Sequence, residues 1–241
     1  MAERSGDTAF HQPCQRPKAA GPLRFPAQSK VFAPWRLCVR IRGNHMKHIS
    51  ENETGGGVPL YQLKVTLKWS KPAIWRRVVV RADMKLDRLH EVIQIVMPWM
   101  NCHMHQFILG RTCYGKPTPE FADMGSEILN EQRYKLAELA PAAKKKFIYE
   151  YDFGDGWQHD VVVEKVLPPD AGFKHPVCLA GANACPPDDC GGIPGYYNLL
   201  EMLADPKHPD HAHMKEWIGG EWDAERFDLE DTNKMLKRLK A

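Results

Sequence analysis

The chain contains no apolar run approaching the about 20 residues that cross a bilayer. Its N-terminus also lacks the continuous apolar core and small-residue cleavage site of a secretory leader. No membrane association is expected, and the cytoplasm is the expected compartment. A disulfide framework is missing too: seven cysteines in 241 residues is an odd number, which points to reduced thiols or metal ligation. No Cys-x2-Cys knuckle occurs among them. Serine is scarce, and Ser5, Ser29, Ser50, Ser70 and Ser126 all lie outside arginine clusters. A serine nucleophile held among arginines over a scissile phosphate is therefore not expected.

The fourth deficit is of positive charge where a fold would carry it. The formal net charge is +3, but residues 1–46 hold eight Lys or Arg against Glu3 and Asp7, which leaves 25 basic and 28 acidic residues from Lys47 onward. From Cys178 to Asp231, twelve acids face only Lys207, Lys215 and Arg226. Such a surface repels phosphate, so nucleic acid is not an expected partner of the folded part. An unidentified protein or small ligand is.

With 43% hydrophobic and 26% charged residues, the length suits one sizeable soluble domain. Residues 1–57 spread Pro13, Pro17, Pro22, Pro26 and Pro34 among Arg, Gln and Ala without a period of 2 or 3.6; a disordered basic segment is expected there. Met46 is a candidate true start of translation, with the residues before it an addition. A single domain is expected over 58–241.

In that domain Tyr61, Leu63, Val65, Leu67 and Trp69 alternate with polar residues, the pattern of a half-buried strand. A turn at Ser70–Ala73 leads to a second strand over 74–80. Asp83 is placed to cap a helix whose Leu86, Leu89, Ile93, Val96 and Met97 recur at helical spacing, ended by Pro98. The run after Trp99 alternates again, putting His103, His105, Phe107 and Leu109 on one side of a third strand. Residues 112–145 read as an irregular connection. Lys146–Val166 forms a β-hairpin around Gly154-Asp155-Gly156. A loop of those three residues sets Phe153 opposite Trp157, Tyr151 opposite His159, Tyr149 opposite Val161 and Phe147 opposite Val163, giving one apolar face. Gly156 takes the left-handed position. Asp152 then lies across from Gln158, and Glu150 across from Asp160, a like-charge pair that calls for a cation between. Three short helices follow, near 195–204, 210–218 and 229–240, the last capped by Asp228. The expected fold is α+β: an antiparallel-rich sheet packed by one helix, followed by short C-terminal helices.

Three features could carry chemistry. Cys178, Cys185 and Cys190, with His159 as imidazole, would complete a tetrahedral zinc set, and His103 and His105 are alternative donors; equally, the cysteines could serve as small buried hydrophobes that pin a loop. His103 and His105 point the same way if both lie on one strand, and beside Asp152 or Asp155 they would suit metal-assisted hydrolysis. The hairpin tip, with Asp152, Asp155 and Trp157, would serve as a recognition surface. His208, His211 and His213, among acids and prolines, read as a solvated turn.

Six motifs in order resemble the plasmid pRiA4b ORF-3-like family from about Leu60 to Leu239. They are Tyr61-Gln62-Leu63-Lys64-Val65, Pro72-Ala73-Ile74-Trp75-Arg76, Leu89-His90-Glu91-Val92-Ile93-Gln94, His103-x-His105-x-Phe107, Tyr149-x-Tyr151-Asp152-Phe153-Gly154-Asp155-x-Trp157-x-His159 and Cys185-Pro-Pro-Asp-Asp-Cys190-Gly-Gly with Gly195-Tyr196. The resemblance implies a prokaryotic cytoplasmic protein with a roll-like α+β domain, encoded near mobile elements. It implies no established activity. Members carry labels such as transposon resolvase or passenger protein, and the missing serine and arginine machinery speaks against the former. Two functions remain in view: a non-enzymatic binding module using the hairpin tip and the cysteine loop, and a metal-dependent hydrolase, with nucleic acid as a candidate substrate, using His103, His105, Asp152, Asp155 or His159.

Overall fold

The computed structural model describes residues 57–118 and 128–239. The expectations of disorder before Gly57 and of a start at Met46 fall outside those residues. Among the described residues, eight strands form one open sheet in the order β5-β4-β3-β6-β7-β1-β2-β8. They are β1 Leu60–Leu67, β2 Trp75–Arg81, β3 His105–Leu109, β4 Thr112–Gly115, β5 Ile128–Asn130, β6 Lys146–Tyr151, β7 Trp157–Leu167 and β8 Val177–Ala182. All neighbours run antiparallel except β4 and β5. The helices are α1 Leu86–Val96, a short α2 Leu136–Leu139, α3 Gly192–Ala204, α4 His211–Trp217 and α5 Leu229–Leu236, with a 3-10 turn at Glu131–Arg133. The α+β, antiparallel-rich class therefore stands.

Alternation places Tyr61, Leu63, Val65 and Leu67 in the core together with Val78 and Val80 of β2. The apolar stripe of α1, Leu86, Leu89, Val92, Ile93 and Val96, closes over them. Arg76 shares the inward side of β2 and is only 1% exposed. Its guanidinium is spent on carbonyls: Nε donates to Val96 O at 2.8 Å, Nη1 to Trp75 O at 2.8 Å and Ala182 O at 2.9 Å, and Nη2 to Asn183 O at 2.9 Å. Its Cζ lies 4.2 Å from the centroid of the Phe227 ring. One arginine thus satisfies an orphan carbonyl at the end of α1 and ties β2 to the end of β8.

The structure corrects several local expectations. Trp69 does not continue the alternation of β1; it sits in the turn at φ +64° and is 61% exposed. Asp83 does not cap α1, whose N-cap is Lys85 without a side-chain bond; the Asp83 carboxylate instead takes both ends of the Arg81 fork at 2.9 Å. The stretch 112–145 is not irregular throughout, since β4, β5 and α2 lie within it. These elements are too short to leave a periodic signal. Cys178 belongs to β8, where a loop was expected. The outer edge of β8 is closed by Asn233 of α5, whose amide bonds both Cys178 N and Cys178 O at 2.9 Å. Asp228 does cap α5, its Oδ1 accepting from Asp231 N at 2.8 Å.

The hairpin pairs two residues out of the expected register. Tyr151 faces Trp157, Tyr149 faces His159, Phe147 faces Val161 and Glu150 faces Gln158. A shift of two preserves side-chain parity, so Tyr149, Tyr151, Trp157, His159 and Val161 all lie inward as expected. The loop opens at Asp152, which takes φ +53°, while Gly156 takes the left-handed position at φ +68°. Glu150 meets two amides rather than another acid, accepting from Gln158 Nε2 at 3.0 Å and Gln106 Nε2 at 2.7 Å. No cation is needed between them.

Candidate functional site

Three segments remote in sequence meet at the tip of the β6–β7 hairpin: the tip itself, the loop entering β3, and the Cys-Pro-Pro-Asp-Asp-Cys loop leading into α3. Asp152 organises the first. Its N–H donates to Met104 O at 2.9 Å, its carbonyl accepts from Gly156 N at 2.6 Å, and its Oδ1 accepts from Gly154 N at 2.9 Å and Asp155 N at 3.4 Å. This is an Asx turn, which explains why strand pairing stops at Tyr151. Oδ2 takes no part in it.

The cysteine loop folds over that tip. Asp155 Oδ2 accepts from Gly191 N at 3.1 Å. Gly192 comes so close that a Cβ there would lie 2.5 Å from Asp155 O, at φ +69°. Only glycine fits that combination. Asp188 Oδ2 accepts from Met100 N at 3.0 Å, and Trp99 Nε1 donates to Pro186 O at 3.0 Å. Burial pushes the Asp155 carboxyl up, with the Gly192 and Gly191 N–H groups opposing and the Asp152 and Asp189 charges adding. Burial likewise raises Asp188, offset first by the Met100 N–H and then by His103. Among the described residues no Lys or Arg pairs with Asp152, Asp155, Asp188 or Asp189. Three non-glycine residues here hold left-handed backbone: Asn101 at φ +56°, Asp152 at +53° and Asp189 at +61°.

His103 points into the junction. Its Nε2 lies 3.7 Å from Asp152 Oδ2 and 3.4 Å from Asp189 Oδ1. That nitrogen is buried and makes no hydrogen bond to the described residues. Donor atoms of His103, Asp152 and Asp189 all lie within 4.8 Å of one another, the one such set among the described residues. Asp189 was visible in sequence only as half of an Asp-Asp pair between prolines and glycines.

His105 parts from His103, because the strand begins at His105 and His103 precedes it. His105 Nε2 bonds Glu131 Oε2 at 2.8 Å, and its ring stacks on His90 at 3.4 Å between centroids. His90 bonds Asn101 Oδ1 through Nε2 at 2.7 Å and Tyr149 Oη through Nδ1 at 2.8 Å. The amide oxygen can only accept, so the proton is assigned to Nε2 and the Tyr149 hydroxyl donates to Nδ1. Burial, and then the neighbouring His105, bring His90 down to about 3. This buried network fixes Asn101, and with it the loop that carries His103. Neither His90 nor Glu131 stood out in sequence as a site residue.

The remaining candidates are core residues. Trp157 is fully buried, packed at 6.1 Å from Trp99, and offers no contact surface. His159 is also fully buried beneath Trp99, its Nδ1 3.3 Å from Tyr149 O, and burial brings it down to about 3. Cys178, Cys185 and Cys190 are free and buried, and burial raises all three thiols. Among the described residues they do not converge with His159 within 4.8 Å, so the expected zinc set is not assembled. His211 Nδ1 accompanies Met202 O at 3.0 Å, consistent with a turn between helices. No helix among the described residues is long and apolar enough to cross a membrane.

The chain is 38% identical over 181 residues to the uncharacterized protein y4hQ of Sinorhizobium fredii, a match covering 75% of this chain and 92% of that protein. It is also similar to the crystal structure of the protein of unknown function MM3350 from Methanosarcina mazei Go1. The TM-score is 0.64 and the identity 34%, over 73% of this chain and 97% of that one. Residues 59–231 match the sequence model described as plasmid pRiA4b ORF-3-like protein, and they take in β1 through the first turn of α5 and all three segments of the junction; the chain belongs to that family.

Proposed function

We propose that this protein is a non-enzymatic binding module, with its ligand held at the junction of the hairpin tip, the cysteine loop and the loop entering β3. The observation that carries this is the left-handed backbone at Asn101, Asp152 and Asp189, one residue in each converging segment. Such conformations cost on the order of 1–3 kcal/mol each and gather where a site over-determines them. The chemistry left over favours binding. Asp155 is committed to Gly191, Asp188 to Met100 and His105 to Glu131, which leaves His103 with Asp152 Oδ2 and Asp189 Oδ1 as the open polar groups that a ligand would meet. In this reading the module works in the cytoplasm, in the neighbourhood of mobile elements that the family resemblance implies. Its partner is a protein or small ligand rather than nucleic acid, because acids dominate the C-terminal part.

The test is a thermal-shift panel on the full-length protein: divalent cations, inorganic phosphate, nucleotides and short peptides of either charge. At least one class should raise Tm for the wild type and not for Asp155→Ala, which frees the cysteine loop from the tip. Chromogenic phosphodiesters and esters are assayed in parallel with and without divalent cations. Turnover lost on His103→Ala would replace the module with a metal-dependent hydrolase.

A further inference from the structure

We propose that His103, Asp152 and Asp189 form a site for a single zinc ion, with three protein donors and a fourth position open to a ligand. This rests on the binding-module reading and names what the module holds. The spacing of the donors is the first support. A charge-assisted N–H···O hydrogen bond would draw an imidazole nitrogen and a carboxylate to about 2.7–2.9 Å. Here the separations are 3.4 and 3.7 Å, and the nitrogen makes no hydrogen bond to the described residues. Two donors about 2.0–2.2 Å from a tetrahedral ion stand roughly 3.3–3.6 Å apart. The Asp189 separation matches coordination and the Asp152 separation exceeds it by about 0.1 Å, while both lie beyond the charge-assisted hydrogen-bond range.

Donor chemistry narrows the ion. An imidazole nitrogen with two carboxylates is unsuited to calcium, which takes six to eight oxygens, and magnesium would bring octahedral neighbours to about 2.9 Å. Zinc accepts this set and this spacing. One of the two carboxylates is already oriented: Gly154 and Asp155 N–H groups hold Asp152 Oδ1, which turns Oδ2 toward His103. The charge balance agrees as well, since among the described residues no Lys or Arg pairs with the four acids of the junction. Three protein donors rather than four leave a coordination position for an anionic or neutral ligand group.

Full-length protein is stripped with chelator and titrated calorimetrically with Zn²⁺, then loaded with Co²⁺ for absorption spectroscopy. The expected result is one ion per chain and a tetrahedral d–d spectrum without a thiolate charge-transfer band. His103→Ala and Asp189→Asn should each lower affinity by more than the roughly 10–100-fold that loss of an orienting partner costs. Both should keep the wild-type circular dichroism and urea midpoint, and Cys185→Ser should bind as the wild type does. Absence of saturable binding, affinity unchanged in both variants, or a thiolate band would each overturn the zinc site. The two readings fail separately. A protein that binds no zinc yet binds another class from the panel in an Asp155-dependent way keeps the module and loses the ion. Zinc binding accompanied by His103-dependent hydrolysis keeps the ion and loses the non-enzymatic reading.

Discussion

Arg76 shows how one side chain can carry more of a fold than its sequence context suggests. It is a buried cation with carbonyls for partners, placed over Phe227. Lysine has the same charge but three donors on one point, so Arg76→Lys cannot reach the acceptors on α1, β2 and β8 together. The expected loss is about 3–5 kcal/mol, the range for a buried charged group stripped of its partners. It should appear as a lower urea midpoint with unchanged slope, and a midpoint within error of wild type would refute the role assigned to Arg76. The buried histidines give a second residue-scale prediction. His90 and His159 are held neutral in the fold, down to about 3, against an ordinary value of 6.5. Once unfolded, each takes up a proton as pH drops through 6.5, so the unfolded state binds more protons between pH 6.5 and 3. Their stability is full above pH 6.5 and falls as pH drops toward 3, by up to about 1.4 kcal/mol per pH unit for each histidine. Glu164, drawn down to about 2 by Arg77 and Gln62, adds its own loss only below its ordinary 4.5. Urea midpoints at pH 7, 6 and 5 should therefore fall before carboxylates titrate, and His159→Leu should remove about half of that slope. An unaltered slope would count against burial of His159.

Among the elements, the most consequential contact is the cysteine loop lying on the hairpin tip. Gly192 combines a left-handed backbone with a Cβ position 2.5 Å from Asp155 O. Gly192→Ala must lift the loop, and a loss of about 1–3 kcal/mol follows from the strain. Hydrogen exchange should report the change locally: the Gly191 amide, bonded to Asp155, should lose protection while the amides of β1 and β7 keep theirs. Equal loss in all three would mean that the loop is not a separable contact. These elements were unequally legible in the sequence. β1 and α1 were clear because long apolar periods announce them, and the two inward faces of the hairpin were clear because parity survives a shift of two. The cross-strand partners were not, because an aspartate at φ +53° ends the pairing and an L-residue in that conformation leaves no pattern. β4, β5 and α2 have three or four residues each, too few for a period. Asp152 and His103 were named from sequence as site residues, whereas Asp189 was not. Its role depends on where a Pro/Gly loop travels, which is tertiary information.

For the whole molecule, the position of the first strand matters most. β1 lies inside the sheet, between β7 and β2, and its ladder with β7 joins Leu67 to His159 and Leu60 to Leu167. No division of the chain after β3 leaves both parts with a finished sheet, because β6 pairs with β3 on one side and with β7 on the other, and β7 leads back to β1. The candidate site straddles the same arrangement, drawing His103 from before β3, Asp152 from the hairpin and Asp189 from beyond β8. This connectivity should make the sheet and the helices packed on it one cooperative unit. Far-UV circular dichroism reports the sheet, and near-UV bands of the Trp99, Tyr151 and Trp157 cluster report packing beside the site. In urea the two transitions should coincide in midpoint and slope. Refolding should be slow, on the ms–s scale typical of sheets built from non-local pairs. Separated transitions, with the aromatic signal lost first, would mean that the site region melts apart from the sheet. The ladder between β1 and β7 would then not bind the first strand and the hairpin into one unit.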